Sequence, residues 1–370
     1  MTAVVPPLES IKRVAILRLS ALGDVCMVVP VVRTLQKAMP HTHITWFISR
    51  PAYDLVEGLE GVDFIVIDKP RRIRDYLALW WRVRRHRFDV LLCMQAALRA
   101  NLIYPLLRAK CKIGFDKIRA RDGQQLFTNQ QIEFNHPNHR EHIMDSFLGF
   151  TRAMGINAPV IEWQLSITDI ERTWVKSKLP SGNGHLIVIN PMASKAERTW
   201  SAERYAEVID RIYQRGCRIV FSGGNSEEEQ NFINEIKIKT TDDVTDLCGQ
   251  TSPKQLAALI EMADCVIAPD TGPVHMAVAV GTPVVGLYAV APTWLSGPYL
   301  GREHCVDHYN DAVEQILKKD PATVPWGTRV HDNRAMLLIS VHEVVSRVLA
   351  ILEGEQRGKA EFTARDVGDS

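Results

Sequence analysis

An α/β fold of two open parallel sheets in tandem is the class this sequence predicts. Three observations predict it. Short apolar runs alternate with amphipathic segments along almost the whole chain. The alternation stops once, at the breaker cluster Pro180-Ser181-Gly182-Asn183-Gly184, and then restarts. The length, 370 residues, suits two domains. The expected division is 1–180 with its linker, then 181–354, then a polar aperiodic tail at 355–370 expected to be disordered. Each sheet would bind ligands at the carboxyl ends of its strands, and two such sheets would face each other across a cleft.

In the first half, strands are expected at Arg13–Leu19, His43–Ile48, Asp63–Ile67, Phe88–Met94 and Cys111–Gly114. Their nearly continuous apolar character marks strands covered on both faces. Pro30 falls inside the helix after the first strand, where it either bends that helix or marks the start of its regular part. A longer helix is expected from about Asn138 to Met154, stopped at Gly155. After the break, His185–Asn190 and Arg218–Ser222 read as strands, and between them Ser201 caps a helix that closes at Gly216. Ser226 with Glu229 reads as a capping box. Ser252 with Gln255 reads as another, with Pro253 at the first helical position. Cys265–Pro269 and Pro283–Tyr288 are further strands, and Val341–Leu352 is the last helix.

Composition excludes some classes of function. A content of 46% hydrophobic and 24% charged residues is that of an ordinary globular protein. The net charge of +1 gives no field for nucleic acid. The charge is local instead. The run "KPRRIRDYLALWWRVRRHR", Lys69 to Arg87, carries eight Lys or Arg and one Asp. It is either a basic exposed helix face or a site for an anionic partner. The seven cysteines are scattered without metal or redox spacing, as expected of small buried hydrophobes in a reducing compartment. The opening "MTAVVPPLESIKR" lacks a basic start followed by an apolar core. No run approaches the ~18 apolar residues of a membrane span. The expected location is therefore the cytoplasm.

Four loops carry the chemistry. In "SALGDV", Asp24 follows Gly23 at the first strand-to-helix turn, as a helix cap or as a base facing a cleft. In "CVIAPDTGPVHMAVAVGTPVVGLY", a strand runs through Asp270, Thr271, Gly272 and Pro273 into a helix. Free amides there, with the Thr271 hydroxyl, suit a phosphate or diphosphate, and His275 lies one turn further on. The alternative is that Asp270 and Thr271 only cap the helix. In "NPMASKAERTWSAERY", Ser194, Lys195 and Arg198 offer an anion clamp or a merely solvated loop. In "FSGGNSEEEQ", Glu227 at a helix start suits the hydroxyls of a ribose, or only the helix dipole. There is no G-x-G-x-x-G, no Walker loop, no Asp-x-Asp and no G-x-S-x-G.

In this order, "SALGDV", the loop ending "ERTW" and "DTGPVHMA" resemble the family-9 glycosyltransferases, the bacterial lipopolysaccharide heptosyltransferases. The resemblance covers roughly Arg13 to Leu352. It implies a GT-B fold of two Rossmann-like domains, with the acceptor in the first half and a nucleotide sugar, ADP-linked by the family's habit, in the second. It also implies inversion at the sugar, with no cofactor and no obligatory metal. The family's catalytic base then falls on Asp24, beside Gly23 on the donor side. Its leaving-group lysine falls on Arg198, which keeps the charge and changes the geometry. A threonine pair that touches the phosphates in some members falls on Ala193 and Ser194, next to Lys195. The ribose acid matches Glu227, and the phosphate loop matches Asp270, Thr271, Gly272 and His275. For the acceptor, the resemblance points to Gln95 and Arg99, with Ala96 where the family has Gly, and to Arg71, Arg72 and Arg74. The implied partners are the nucleotide sugar, the lipopolysaccharide core and the cytoplasmic face of the inner membrane. A sugar-nucleotide epimerase on the same plan, or an inactive nucleotide-binding homologue, are the alternatives.

Overall fold

The computed structural model describes residues 4–68, 70–134 and 140–366. Lys69, Asn138 and residues 367–370, which entered the expectations above, lie outside them. The chain forms two compact units, Met1–Ser166 and Ile167–Ser370.

In the first unit the strands are β1 Arg13–Leu17, β2 His43–Ile48, β3 Val62–Val66, β4 Arg87–Leu92, β5 Arg108–Gly114 and β6 Gln130–Gln131. All neighbours are parallel, in the order β3-β2-β1-β4-β5-β6. The helices are α1 Leu22–Ala38, α2 Arg50–Val56, α3 Ile73–Val83, α4 Leu98–Asn101 and α5 Ile143–Ala153. In the second unit, α6 Asp169–Lys176 precedes β7 Leu186–Ile189, α7 Ala202–Tyr213, β8 Arg218–Phe221, α8 Glu227–Lys239 and β9 Thr245–Asp246. Then come α9 Pro253–Glu261, β10 Cys265–Pro269, α10 Gly272–Val280, β11 Val284–Tyr288 and α11 Thr293–Ser296. The unit closes with β12 Val306–Asp307, α12 Tyr309–Ala312 and α13 Val341–Asp366. Its order is β12-β11-β10-β7-β8-β9. Counted from β7, this is the first unit's winding repeated.

Central strands are apolar because helices cover them on both sides. From Leu186 to Ile189 and from Cys265 to Pro269 every residue is buried. In α7 the buried residues Tyr205, Val208, Ile209 and Ile212 recur at helical spacing and face that sheet. One device sets the start of each first strand. The Asp89 carboxylate accepts the N–H groups of Lys12 and Arg13 at 3.0 and 3.1 Å. The Asp264 carboxylate accepts the Leu186 N–H at 2.7 Å.

Several details differ from expectation. The unit boundary falls at Ser166/Ile167 rather than at the breaker cluster. The reason is α6, whose Arg172 forks onto Glu261 of α9 with bonds of 2.7 and 3.0 Å. The breaker cluster is a loop inside the second unit, held by Arg218 through the carbonyls of Pro180 and Gly184. The helix expected from Asn138 starts at Ile143, where the His142 ring accepts the Met144 N–H. The last helix runs on to Asp366, beyond the buried Ile351 and Leu352. Nothing but Gly354 and Gly358 in that stretch opposes continuation, and its Glu, Gln, Lys and Ala favour it.

Pro30 lies inside a helix that is already regular at Leu22. Having no N–H, it leaves the Cys26 carbonyl without its helical donor. The Trp163 indole N–H fills that vacancy at 3.0 Å. All seven cysteines are buried thiols. Burial pushes the Cys26 thiol up to about 12, with Asp24 adding to the shift, and Cys111 up to about 11. No helix among the described residues is long and apolar enough to cross a membrane.

Candidate active site

In a doubly wound sheet the ligand crevice opens where the strand order reverses, at the carboxyl ends of the strands. That point lies between β1 and β4 in the first unit, and between β7 and β10 in the second. The loops with Asp24, Gln95, Arg198 and Asp270 follow these four strands, and the loop with Glu227 follows β8.

At the first switch point, Asp24 sits in the first turn of α1. Its carboxylate accepts the Ala21 N–H at 2.9 Å, so the capping role is real. The same carboxylate also pairs with the Arg18 guanidinium, and the Asp24 side chain keeps 25% of its surface exposed. Arg18 was not among the expected site residues. It donates to the Met94 carbonyl at 2.6 Å and lies 5.0 Å from the centre of the Phe147 ring on α5. Its position at the end of an otherwise apolar strand was the one available signal. Gly23 is buried beside Asp24. Gln95 belongs to the same cluster, since its Oε1 accepts the Leu19 N–H at 2.7 Å and its Nε2 lies 3.5 Å from the Ser20 hydroxyl.

Arg99 is exposed on α4, and its carbonyl accepts the Tyr76 hydroxyl of α3 at 3.4 Å. Arg71, Arg72 and Arg74 are exposed at the start of α3. They follow β3, two strands from β1, so no shared loop brings them to Asp24. The Asp75 carboxylate organises that corner by accepting the N–H groups of Arg71 and Arg72 at 2.8 and 2.9 Å. Those bonds hold its carboxyl below the usual aspartate range.

At the second switch point, Asp270 stands at the end of β10 with 9% of its side chain exposed. Arg198 donates to its carboxylate at 3.0 Å and to its carbonyl at 2.9 Å, and reaches the Ser194 hydroxyl at 3.0 Å. Arg329, absent from the expectations, donates to the same carboxylate at 3.2 Å. An aspartate beside an anion-binding helix end would repel the anion, and two guanidinium groups remove that objection. The Thr271 hydroxyl, at the N-cap of α10, is buried and has no hydrogen-bond partner among the described residues. His275 is buried within the helix rather than on the surface. Gly281 ends that helix at φ +80°, where a side chain would be strained.

Around this point, Lys195 is exposed and Ala193 donates its N–H to the Thr199 hydroxyl at 3.2 Å. Glu197, next to Arg198, lies 3.0 Å from the His331 ring. That contact, with a bond from its own backbone, holds the Glu197 carboxyl below the usual range. Glu227 is exposed at the first position of α8. The expected capping box there is half formed. Ser226 accepts the Glu229 N–H at 3.2 Å, but Glu229 returns to the Gly224 N–H at 2.8 Å. Glu229 thereby holds the glycine turn, and Glu227 stays open. Among the described residues, no cluster of three or more His, Cys, Asp or Glu could hold a metal ion.

Each switch point thus holds an aspartate fixed by arginine. One aspartate is partly open, and the other is buried under two cations beside a helix N-terminus. The model of glycosyltransferase family 9 (heptosyltransferase) matches residues 76–322. The lipopolysaccharide core heptosyltransferase OpsX of Haemophilus influenzae is 33% identical over 92% of this chain and 97% of its own. A family-9 glycosyl transferase of Veillonella parvula has a similar solved structure, with a TM-score of 0.76 at 21% identity over 93% of this chain and 97% of that one. So has the ADP-heptose lipopolysaccharide heptosyltransferase II of Escherichia coli, with 0.70 at 19% over 93% and 99%. These two likenesses bear on the fold.

Proposed function

The chain belongs to glycosyltransferase family 9, and from that premise we propose that it moves a heptose from ADP to the lipopolysaccharide core, with inversion and without a metal ion. The observation that carries the proposal is Asp270 under Arg198 and Arg329 beside the N-terminus of α10. The Gly272 N–H at the helix start, a Thr271 hydroxyl without a hydrogen-bond partner among the described residues, and paired cations match a diphosphate. Lys195 adds charge to the same loop, Gly272 lets its backbone come close, and His275 backs it. Glu227 takes the ribose hydroxyls. Gly23 belongs to the turn that carries Asp24.

The reaction then needs a proton acceptor, and Asp24 supplies it. An acceptor hydroxyl oxygen attacks the anomeric carbon and its proton passes to the Asp24 carboxylate. The bond from that carbon to the diphosphate oxygen breaks, and the electron pair leaves with ADP. Arg198, Ser194 and the N-terminus of α10 stabilise the charge that develops there. Arg18 and Gln95 keep the Asp24 loop in place. Family membership favours this transfer over epimerisation of the nucleotide sugar, which needs no acceptor. The test is transfer in vitro from ADP-heptose to truncated core acceptors in EDTA, read by mass spectrometry. Gain of one heptose by the acceptor is expected. Sugar consumption without an acceptor, or activity that returns only with Mg²⁺, would overturn the reading.

The acceptor is lipid-linked, and α3 suits the surface it stands in. Ile73, Leu77 and Trp81 recur every fourth residue, with 81, 56 and 61% of their surface exposed. Leu79 and Val83 bury the other side of the helix. Arg71, Arg72 and Arg74 flank the stripe, and Arg84 lies 3.9 Å over the Trp81 ring. An apolar stripe bordered by arginines is the pattern of a helix lying in a bilayer interface. With Gln95 and Arg99, these arginines form the acceptor side of the proposal. Flotation with phosphatidylglycerol vesicles should recover the protein at low salt, and neutral vesicles should recover little. Trp81→Glu should abolish the recovery; equal recovery of this variant would remove α3 from the contact.

A further inference from the structure

We propose that Arg329 is a positioning residue of the donor site: it remains the counter-ion of Asp270 when a diphosphate draws Arg198 away. The inference rests on the reading of this loop as a diphosphate site. Its basis is how Arg198 is engaged. One Nη meets Asp270 at 3.0 Å and the other meets Ser194 at 3.0 Å. That first Nη gives its other hydrogen to the Asp270 carbonyl at 2.9 Å, so turning it to phosphate oxygens takes both hydrogens from Asp270. Asp270, with 9% of its side chain exposed, would then be a buried carboxylate with nothing opposite. Removing one partner of a buried pair is far more costly than the pair itself is stabilising. Arg329 closes that gap with its own bond of 3.2 Å to the same oxygen.

The chain builds a support for this contact. Val330 is fully buried and donates its N–H to the Val290 carbonyl, just past β11, at 2.9 Å. Its two neighbours reach back to the donor loops, Arg329 to Asp270 and His331 to Glu197. A segment without regular secondary structure is thus pinned at its middle and holds two loops from either side. Arg329 keeps 30% of its surface exposed, as befits a cation at the edge of an anion site.

The test is calorimetric titration of the full chain with ADP, with inorganic diphosphate as the second probe. The unsubstituted protein should bind both. Arg329→Gln should raise the dissociation constant for ADP by about tenfold or more, because Arg198 alone must then serve Asp270 and phosphate. Arg329→Lys should stay within about threefold of the unsubstituted protein, since the charge is kept. In an Asp270→Asn background, Arg329→Gln should have little further effect, because no buried charge is left to compensate. Equal losses with Asp270 present and replaced would overturn the positioning role and assign Arg329 directly to phosphate. Unchanged ADP binding in Arg329→Gln would overturn the inference and leave the donor site standing. Failure of the unsubstituted protein to bind ADP would overturn the donor-site reading itself.

Discussion

Asp24→Asn lowers turnover by ~10²–10⁴ and leaves ADP binding intact, as expected for loss of a general base. The substitution separates the two roles that the structure gives this residue. An asparagine oxygen can still accept the Ala21 N–H, which Asp24 accepts at 2.9 Å, so the helix start survives. The pair with Arg18 loses its charge, but Arg18 keeps the Met94 carbonyl and the Phe147 ring. A modest fall in melting temperature is therefore expected, without loss of fold. If Asp24 were only a cap, the melting temperature would move and turnover would not. The measurement is kcat under saturating donor and acceptor, beside an ADP titration and a melting curve. A value within tenfold of the unsubstituted enzyme removes Asp24 from the chemistry. Arg18→Gln is the companion variant. It leaves the carboxylate present, held by the Ala21 N–H but without its charged partner, so it should lower turnover less than Asp24→Asn does.

The fold was legible because each unit states its winding locally. Buried parallel strands read as continuous apolar runs, and Ser201, Ser226 and Ser252 each mark a helix start that the structure places there. Strand ends were less legible. Leu19 looks like part of β1, yet its N–H bonds to the Gln95 side chain instead of to a neighbouring strand. The unit boundary was illegible for a similar reason. Whether α6 belongs before or after the break depends on Arg172 meeting Glu261, 89 residues away. The same limit explains the two missed arginines. Arg329 is 59 residues from Asp270 and sits in no regular element, and its place is fixed by tertiary contacts such as the burial of Val330 beside it. Arg18 is six positions from Asp24, and only the turn between β1 and α1 brings the two side chains together. Aspartates that begin helices are readable from sequence, whereas their counter-ions arrive by tertiary packing.

Arg198→Ala should lower kcat by ~10²–10³, the scale for removing one preorganised donor from a charge that develops in the transition state. Arg198 touches Asp270 and Ser194 together, so its removal acts in two ways. It deletes positive charge beside the departing diphosphate, and it releases the Ser194 hydroxyl. Asp270 retains Arg329, so the fold around β10 should hold and donor affinity should fall less than turnover. Arg198→Lys divides charge from geometry. A lysine brings the charge as a point, but it cannot span a carboxylate and a hydroxyl with a planar fork. The family resemblance puts a lysine at this position, so Arg198→Lys should keep most of the turnover that Arg198→Ala loses. Steady-state kcat and donor KM for the two variants check this. Turnover of Arg198→Ala within tenfold of the unsubstituted enzyme would take Arg198 out of leaving-group stabilisation. Equal losses in the two variants would show that the fork, and not the charge, is what the departing diphosphate requires.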